Sequence, residues 1–408
     1  MVGLRINRYI VFIIFFMKIC LINNLYEPYA KGGAEQVVKA IVDFLLKNNH
    51  QVVLITLTPK DNDEEIISNS NLTIYRIKAK NIFSFFDLHK HSFLSKFVWH
   101  FFDIFNFGIA RKIKNILQQE KPDLVHTHNL MGLGFLVPSV IRKLKIKYIH
   151  TLHDVQLVEP SGIILKLQEK SFRYNNIFVY LYVFLTKRMF LSPDIVIAPS
   201  NFLLNFYDKK GFFSSSKKIV LANPLTFDNV NNIVKKSNQD FNFLYLGQIE
   251  KHKGIFELID AFKKIKNTKL HVVGDGSCLK ELKNKFQNLD NVIFYGRKSR
   301  EELPEIFSKM DVTVFPSICY ENYPSVIFES FYFAVPVLAS NHSSLPEFIK
   351  VGENGWLFYI EKKNDLVEKM QWCLENKINI KKMSLNFDIN ILKKNSDNYF
   401  VELLNLYK

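Results

Sequence analysis

A chain of 408 residues is too long for one ordinary core, so two domains are expected, and an apolar content of 48% excludes a disordered polypeptide. Its formal charge of +15 calls for anionic partners, which nucleic acid, anionic lipid and sugar nucleotides would all satisfy. The lysines are spread and no DNA- or RNA-binding motif occurs, so nucleic acid is not an expected partner. Cys20, Cys278, Cys319 and Cys373 have neither CxxC nor metal-ligand spacing, which points to a reducing cytoplasm and no zinc site.

The apolar stretch Tyr9 to Ile22 contains Lys18 and falls short of the ~20 residues that span a bilayer, and no small-residue cleavage site follows. Met17 to Asn23 reads instead as a first strand, with residues 1–16 an extension before it. A loop leads to Gly32-Gly33-Ala34-Glu35, which opens a helix whose Val37, Val38, Ile41 and Leu45 recur at helical spacing. Two glycines there let backbone approach a ligand and the helix end favours an anion, although the same pair can be a plain turn. Gln51 to Leu57 is a second buried strand. Strand, loop, helix and strand begin a doubly wound domain, which binds ligands at the carboxyl ends of its strands.

Residues 81–107 are crowded with aromatics, among them Phe83, Phe85, Phe86, Phe97, Trp99, Phe101 and Phe102, interleaved with Lys90 and Lys96. They form either a pair of helices closing the domain or a stripe lying in a membrane interface. Lys121 to His128 is a helix end, a turn and a short strand. Lys147 to Leu152 is another strand and delivers His153-Asp154 to its end. An imidazole there can bond a sugar hydroxyl, shuttle a proton, or simply be satisfied at a domain boundary. His126 and His128 occupy a similar strand end. Ile177 to Leu185 is expected to be a helix buried under a neighbour. Asp194 to Ser200 closes the run of strands, with Ser200 capping the next helix.

From Asn223 to Asp240 the composition turns polar and periodicity ends, which marks a linker. Alternation then resumes with strand Phe241–Leu246, loop Gly247–Gly254 and a helix burying Ile255, Leu258, Ile259 and Phe262. Strands at Leu270–Val273, Val292–Phe294 and Asp311–Phe315 complete a parallel sheet with right-handed crossovers. Lys253, beside Gly254, stands where a free ammonium can meet a phosphate. The last strand empties into FPSICYENYPSVIFESF, residues 315–331. Pro324 suits the first helical position, and the amides from Ser325 onward make a positive end for a phosphate. Glu321 stands before that end and Glu329 eight residues on, placed for a hydroxylated group and a diol respectively. Leu392 to Tyr407 is a final helix.

The carboxylate pair resembles the E-x7-E motif of retaining glycosyltransferases. GGAE, His153-Asp154, Ala198-Pro199-Ser200, Leu246-Gly247 with Lys253-Gly254, Val273-Gly274-Asp275-Gly276, Glu321 to Glu329, Leu345-Pro346-Glu347 and Asn354-Gly355 follow in order. As a set they are similar to family 4 glycosyltransferases over nearly all of residues 17–390. The resemblance implies an α/β chain of the GT-B fold, with two Rossmann-like doubly wound domains facing across a cleft. It implies an acceptor domain at 1–222, a linker at 223–240, a nucleotide-sugar domain at 241–390, and a helix at 391–408 packing back on the first domain. The implied activity is retaining transfer from a nucleotide-sugar to a glycan or lipid-linked acceptor in cell-surface polysaccharide synthesis. No metal or other cofactor is implied; the place is the cytoplasm, with peripheral contact at the membrane left open. A catalytically weak partner subunit and a GT-B-fold sugar-nucleotide epimerase are the alternatives.

By residue, the resemblance implies catalytic roles for His153, Glu321 and Lys253. Donor contacts would come from Gly33, Gln248, Lys253, Gly274, Asn322, Tyr323, Pro324, Ser325 and Glu329, and acceptor contacts from Gly32, Gly33, His128 and Asp154. Two departures stand out: Gln248 replaces an arginine expected at the diphosphate, with Lys251 or Arg297 as candidates to compensate, and Ser343-Ser344 replaces a glycine pair.

Overall fold

Alternate residues of the first strand bury themselves in different cores. On β1 (Lys18–Ile22), Ile19 and Leu21 face one layer of helices while Cys20 and Ile22 face another, as period-two geometry requires of a strand covered on both sides. The computed structural model describes residues 16–30, 32–59, 65–78, 81–225, 240–287, 289–385 and 387–408. Nearly all of the extension and most of the linker expected from the sequence lie outside these.

The other strands of the first sheet are β2 (Gln51–Thr58), β3 (Glu65–Ser68), β4 (Leu72–Lys78), β5 (Leu124–Thr127), β6 (Lys147–Thr151), β7 (Ile195–Ala198) and β8 (Lys217–Val220). They lie in the order β3-β4-β2-β1-β5-β6-β7-β8, parallel except for β3, which runs against β4 at the edge. The helices are α1 (Gly33–Lys47), α2 (Phe93–Ile104), α3 (Phe107–Glu120), α4 (Val137–Lys143), α5 (Ile177–Phe190) and α6 (Asn201–Lys209).

The second sheet is wholly parallel. It comprises β9 (Phe241–Leu246), β10 (Thr268–Val273), β11 (Val292–Gly296), β12 (Val312–Phe315), β13 (Val337–Ser340) and β14 (Gly355–Phe358), in the order β11-β10-β9-β12-β13-β14. Its helices are α7 (Ile255–Phe262), α8 (Leu279–Lys285), α9 (Leu303–Phe307), α10 (Ser325–Tyr332), α11 (Leu345–Phe348), α12 (Asp365–Glu375) and α13 (Lys377–Leu385). Strand order reverses between β1 and β5 and again between β9 and β12. Crevices open outside such reversals, and the loops that follow these four strands carry most of the residues singled out above.

The last helix, α14 (Ile389–Tyr407), returns to the first domain, where Tyr399, Leu403 and Tyr407 join α1 over Ile19 and Leu21. Tyr407 also hydrogen-bonds His126 Nδ1 through its hydroxyl at 2.8 Å. A second junction pairs backbone across the domains: Lys166 N donates to Ile318 O at 2.9 Å and Tyr320 N to Ile164 O at 2.8 Å, around an antiparallel bridge between Leu165 and Cys319.

Several expectations need correction. β7 does not close the first sheet, because β8 adds to it, and β3, β4 and β13 had no reading. The aromatic stretch divides: Trp99 is fully buried, its Nε1 donating to Phe83 O at 2.8 Å, whereas Phe97, Phe101 and Phe102 are about half exposed. Helix α5 exists but is not buried under a neighbour. Tyr182, Thr186 and Phe190 are buried and Val183, Leu185 and Met189 pack partly against the core, while its apolar outer face is open.

Candidate active site

Where β12 ends, Phe315-Pro316 turn into the loop that holds Glu321. Both ends of this residue are tied down: its amide donates to Ser343 Oγ at 3.1 Å and its carbonyl accepts from Ser344 Oγ at 2.8 Å. The serine pair thus holds the loop through hydroxyls that glycines would lack. Ser343 does so at φ +51°, the left-handed region where glycine is ordinarily at ease. The Glu321 carboxylate is 8% exposed and accepts from Ser317 Oγ at 2.6 Å and from Lys253 Nζ at 2.7 Å.

Lys253 reaches Glu321 because the β9 loop presses against the β12 loop. At Gly254, φ +72°, a Cβ would lie 1.9 Å from the Pro316 carbonyl oxygen, so only glycine allows the approach. The Lys253 ammonium is therefore paired rather than free. Burial works against its charge, but the Glu321 carboxylate outweighs this and holds its pKa above the usual lysine value. Gly274 performs a similar service one loop away. A Cβ there would come 1.8 Å from Gly247 O, so this residue packs loop on loop and does not itself line the cleft.

These loops form one wall of a cleft of about 910 Å³ between the two domains. Gln248, Lys253, Glu321, Tyr323, Pro324 and Ser325 line it from the second domain, Gly32 and Gly33 from the first. Pro324 is extended, with ψ 114°, so it caps the helix and the first helical residue is Ser325, one later than the sequence suggested. The leading amides of α10, without partners inside the helix, open on the cleft. A Cβ on Gly33 would meet nothing within 4 Å, which leaves the α1 terminus open to the same space. Glu329 stands behind the wall, 8% exposed. Burial pushes its carboxyl above the ordinary range, while Arg300 and a bond with Ser325 act in the opposite direction.

His126, His128, His150 and His153, at the ends of β5 and β6, form a largely buried layer behind the cleft lining. His153 Nε2 is 2.9 Å from His128 Nδ1, and Asn322 Nδ2 donates to His153 O at 3.2 Å across the domain boundary. Burial lowers the His153 pKa to about 4 and His128 well below its usual value, so both rings are neutral at pH 7. His128 is 1% exposed and sits behind His153, too deep for the acceptor contact assigned to it. Asp154, whose carboxyl burial pushes up to about 6 against the bond from the Gln156 amide, likewise holds its own loop. Neither His153, Asp154 nor Asn322 is part of the cleft lining.

Apart from Arg297, offered to compensate for Gln248, sequence reasoning missed the loop after β11. Arg297, Lys298, Ser299 and Arg300 all line the cleft, with Lys298 paired to Glu302 at 2.8 Å. The run of basic residues beyond a strand end was the available signal. Of the two cations offered to compensate for Gln248, Arg297 is at the site, while Lys251 turns toward Glu281 at 3.5 Å. Asn223, Pro224 and Leu225, expected as linker, also line the wall. Among the described residues no group of three or more His, Cys, Asp or Glu is gathered as a metal would require.

Two family descriptions divide the chain between them: "Glycosyltransferase Family 4" matches residues 31–225 and "Glycosyl transferases group 1" matches 227–391. Among similar proteins, an uncharacterized 42.6 kDa protein in the cps region of Klebsiella pneumoniae is 26% identical over 86% of this chain and 91% of its own. The alpha-monoglucosyldiacylglycerol synthase of Streptococcus pneumoniae is 26% identical over 85% of this chain and 76% of its own. In fold, a sucrose-phosphate synthase from Thermosynechococcus elongatus superposes with TM-score 0.73 at 20% identity, covering 96% of this chain and 98% of that one. Anabaena HepE, solved in complex with UDP and glucose, gives 0.67 at 17% identity, with 96% and 99% covered. The architecture, two parallel-sheet domains across a cleft, is the GT-B fold of these neighbours.

Proposed function

The chain belongs to the family 4 glycosyltransferases, and we propose that it moves a sugar, with retention of configuration, from a nucleotide-sugar to a glycan or lipid-linked acceptor in cell-surface polysaccharide synthesis. The observation that carries this reading is the convergence of the α10 amides, Lys253 and Arg297 on one cleft that the glycine end of α1 faces from the other domain. A departing nucleoside diphosphate gains negative charge in the transition state, and fixed donors around it lower the barrier. In this reading the α10 terminus and the two cations meet that diphosphate, and Glu329, behind the wall beside Ser325 and Arg300, serves a ribose diol. In the absence of donor, Lys253 is held by Glu321. A phosphate entering the cleft competes for the ammonium and releases the Glu321 carboxylate toward the sugar.

His153, neutral and below the cleft wall, approaches the sugar once substrate occupies the site. With these cations serving the leaving group, we expect turnover to persist in chelator. Polysaccharide synthesis is favoured by the relative from a cps region, and a lipid-linked acceptor by the synthase whose name specifies a diacylglycerol product. The test is release of nucleoside diphosphate from a panel of sugar nucleotides, with the anomeric configuration of the transferred sugar read by NMR. Retention supports the reading. Inversion overturns the mechanism, and failure to bind or turn over any donor overturns the enzyme.

A further inference from the structure

The exposed apolar side chains of the first domain are concentrated on two helices. On α2, Leu94, Phe97, Phe101 and Phe102 are 45–75% exposed, and on α5 the outer residues from Ile177 to Phe184 include five that are 51–72% exposed. The rings of Phe97 and Phe178 meet edge to face with centroids 5.5 Å apart, so the two helices present one continuous surface. An ordinary surface helix turns its polar face to water. These two bury one apolar face in the core and present another to solvent.

The exposed charges carried by the two helices are of one sign. Their one acidic residue, Asp103, is buried and accepts from the Gly132 amide at 2.9 Å. Against it stand Lys96 on α2 and Lys187 and Arg188 on α5. Broad aromatic area ringed by cations suits a bilayer with anionic headgroups. A second copy of the chain would bring the same positive rim against itself.

We propose that the α2–α5 face docks on an anionic lipid bilayer, its rings in the headgroup region and its cations on the lipid phosphates. The inner side of α5 ties this face to the cleft. Tyr182 donates its hydroxyl to Gln156 O at 2.8 Å and Thr186 to Leu157 O at 2.7 Å, both in the loop that follows His153-Asp154. A helix resting on lipid thus braces the loop beside the candidate active site, and an acceptor held in the same bilayer approaches from that side. The proposal requires no sugar donor, so its failure and that of the transferase reading are separate events.

The test is co-sedimentation of the full chain, without nucleotide, with vesicles of phosphatidylcholine alone or mixed roughly 3:1 with phosphatidylglycerol. Partition onto the mixed vesicles should exceed that onto neutral ones about tenfold and weaken as salt rises from about 0.1 to 0.5 M. Phe97→Ser/Phe178→Ser/Phe184→Ser should lower partition about tenfold while leaving the thermal transition and nucleoside diphosphate affinity unchanged. Lys187→Glu/Arg188→Glu should do the same through charge alone, and it decides the matter if the triple variant fails to fold. No binding, equal binding to neutral and anionic vesicles, or variants that bind like the parent would each overturn the proposal. So would a dimer in solution that the aromatic variant dissociates while vesicles capture neither protein.

Discussion

At the scale of single residues, the candidate site depends on a glycine that does not itself line the cleft. Gly254 has a left-handed backbone and no room for a methyl group against Pro316. Gly254→Ala should therefore separate the β9 and β12 loops and destabilise the fold by about 1–3 kcal/mol, the usual range for overpacking. Urea denaturation would measure the loss, and titration with nucleoside diphosphate should show weaker binding in whatever remains folded. The charges predict a second result. Lys253→Ala removes a cation from the developing oxyanion and should slow turnover by ~10²–10³. Gln248 lines the same cleft, so adding Gln248→Arg should recover part of that rate. A double variant no faster than Lys253→Ala would show that position 248 does not serve the diphosphate.

At the scale of elements, β5 and β6 deliver a cluster of imidazoles into a buried layer. His150, 4% exposed and bonded to Thr127 Oγ1 at 2.8 Å, is held neutral by burial with a pKa lowered to about 3. Its folded pKa lies below the unfolded value of ~6.5, so the unfolded chain takes up the proton first and stability is lost as pH falls. Between pH 7.5 and 5.5 the loss should reach about 1.4 kcal/mol for this ring alone. Denaturant midpoints at the two pH values would show it, and His150→Gln should flatten the slope. The strands β1, β2 and β9 were legible because they are largely apolar runs, and β5 and β6, LVHT and KYIHT, by their short apolar starts before polar ends. The edge strands β3 and β8 were not, since exposed or half-exposed sequences such as 66–68 and Lys217–Val220 have no pattern apart from their neighbours. Helix α5 misled for the opposite reason: its sequence is apolar all round, which ordinarily signals burial, and only the fold reveals which side is covered. Among site residues, Glu321 and Lys253 could be found from spacing. Their mutual pairing could not, because it depends on how two loops meet.

At the scale of the whole molecule, a carboxylate from one domain caps a helix of the other. Glu347, in α11, accepts from the amides of Asn201 at 2.8 Å and Phe202 at 2.5 Å, at the start of α6. An acidic side chain there satisfies orphan donors and complements the helix dipole. Glu347→Ala should cost about 0.5–2 kcal/mol of interdomain attachment. Because the cap lies outside the cleft, solution scattering should report a more open molecule, with the affinity of the second domain for nucleoside diphosphate little changed. An unaltered scattering profile would mean that the backbone pairing at Ile164–Lys166 suffices to hold the two domains.

The return of α14 has a further consequence, for the order in which the protein can be made. Translation supplies the strands of the first domain early, yet one of that domain's two apolar faces is completed by Tyr399, Leu403 and Tyr407, which follow the whole of the second domain. Domains generally fold as they emerge, the first before the next. Here a nascent chain that has passed α13 has only α1 over Ile19 and Leu21, without the part of the cover that α14 supplies, and His126 still lacks the Tyr407 hydroxyl. The first domain to be synthesised is thus the last to be closed, and a chain arrested short of Tyr399 would leave the ribosome with that face only partly covered.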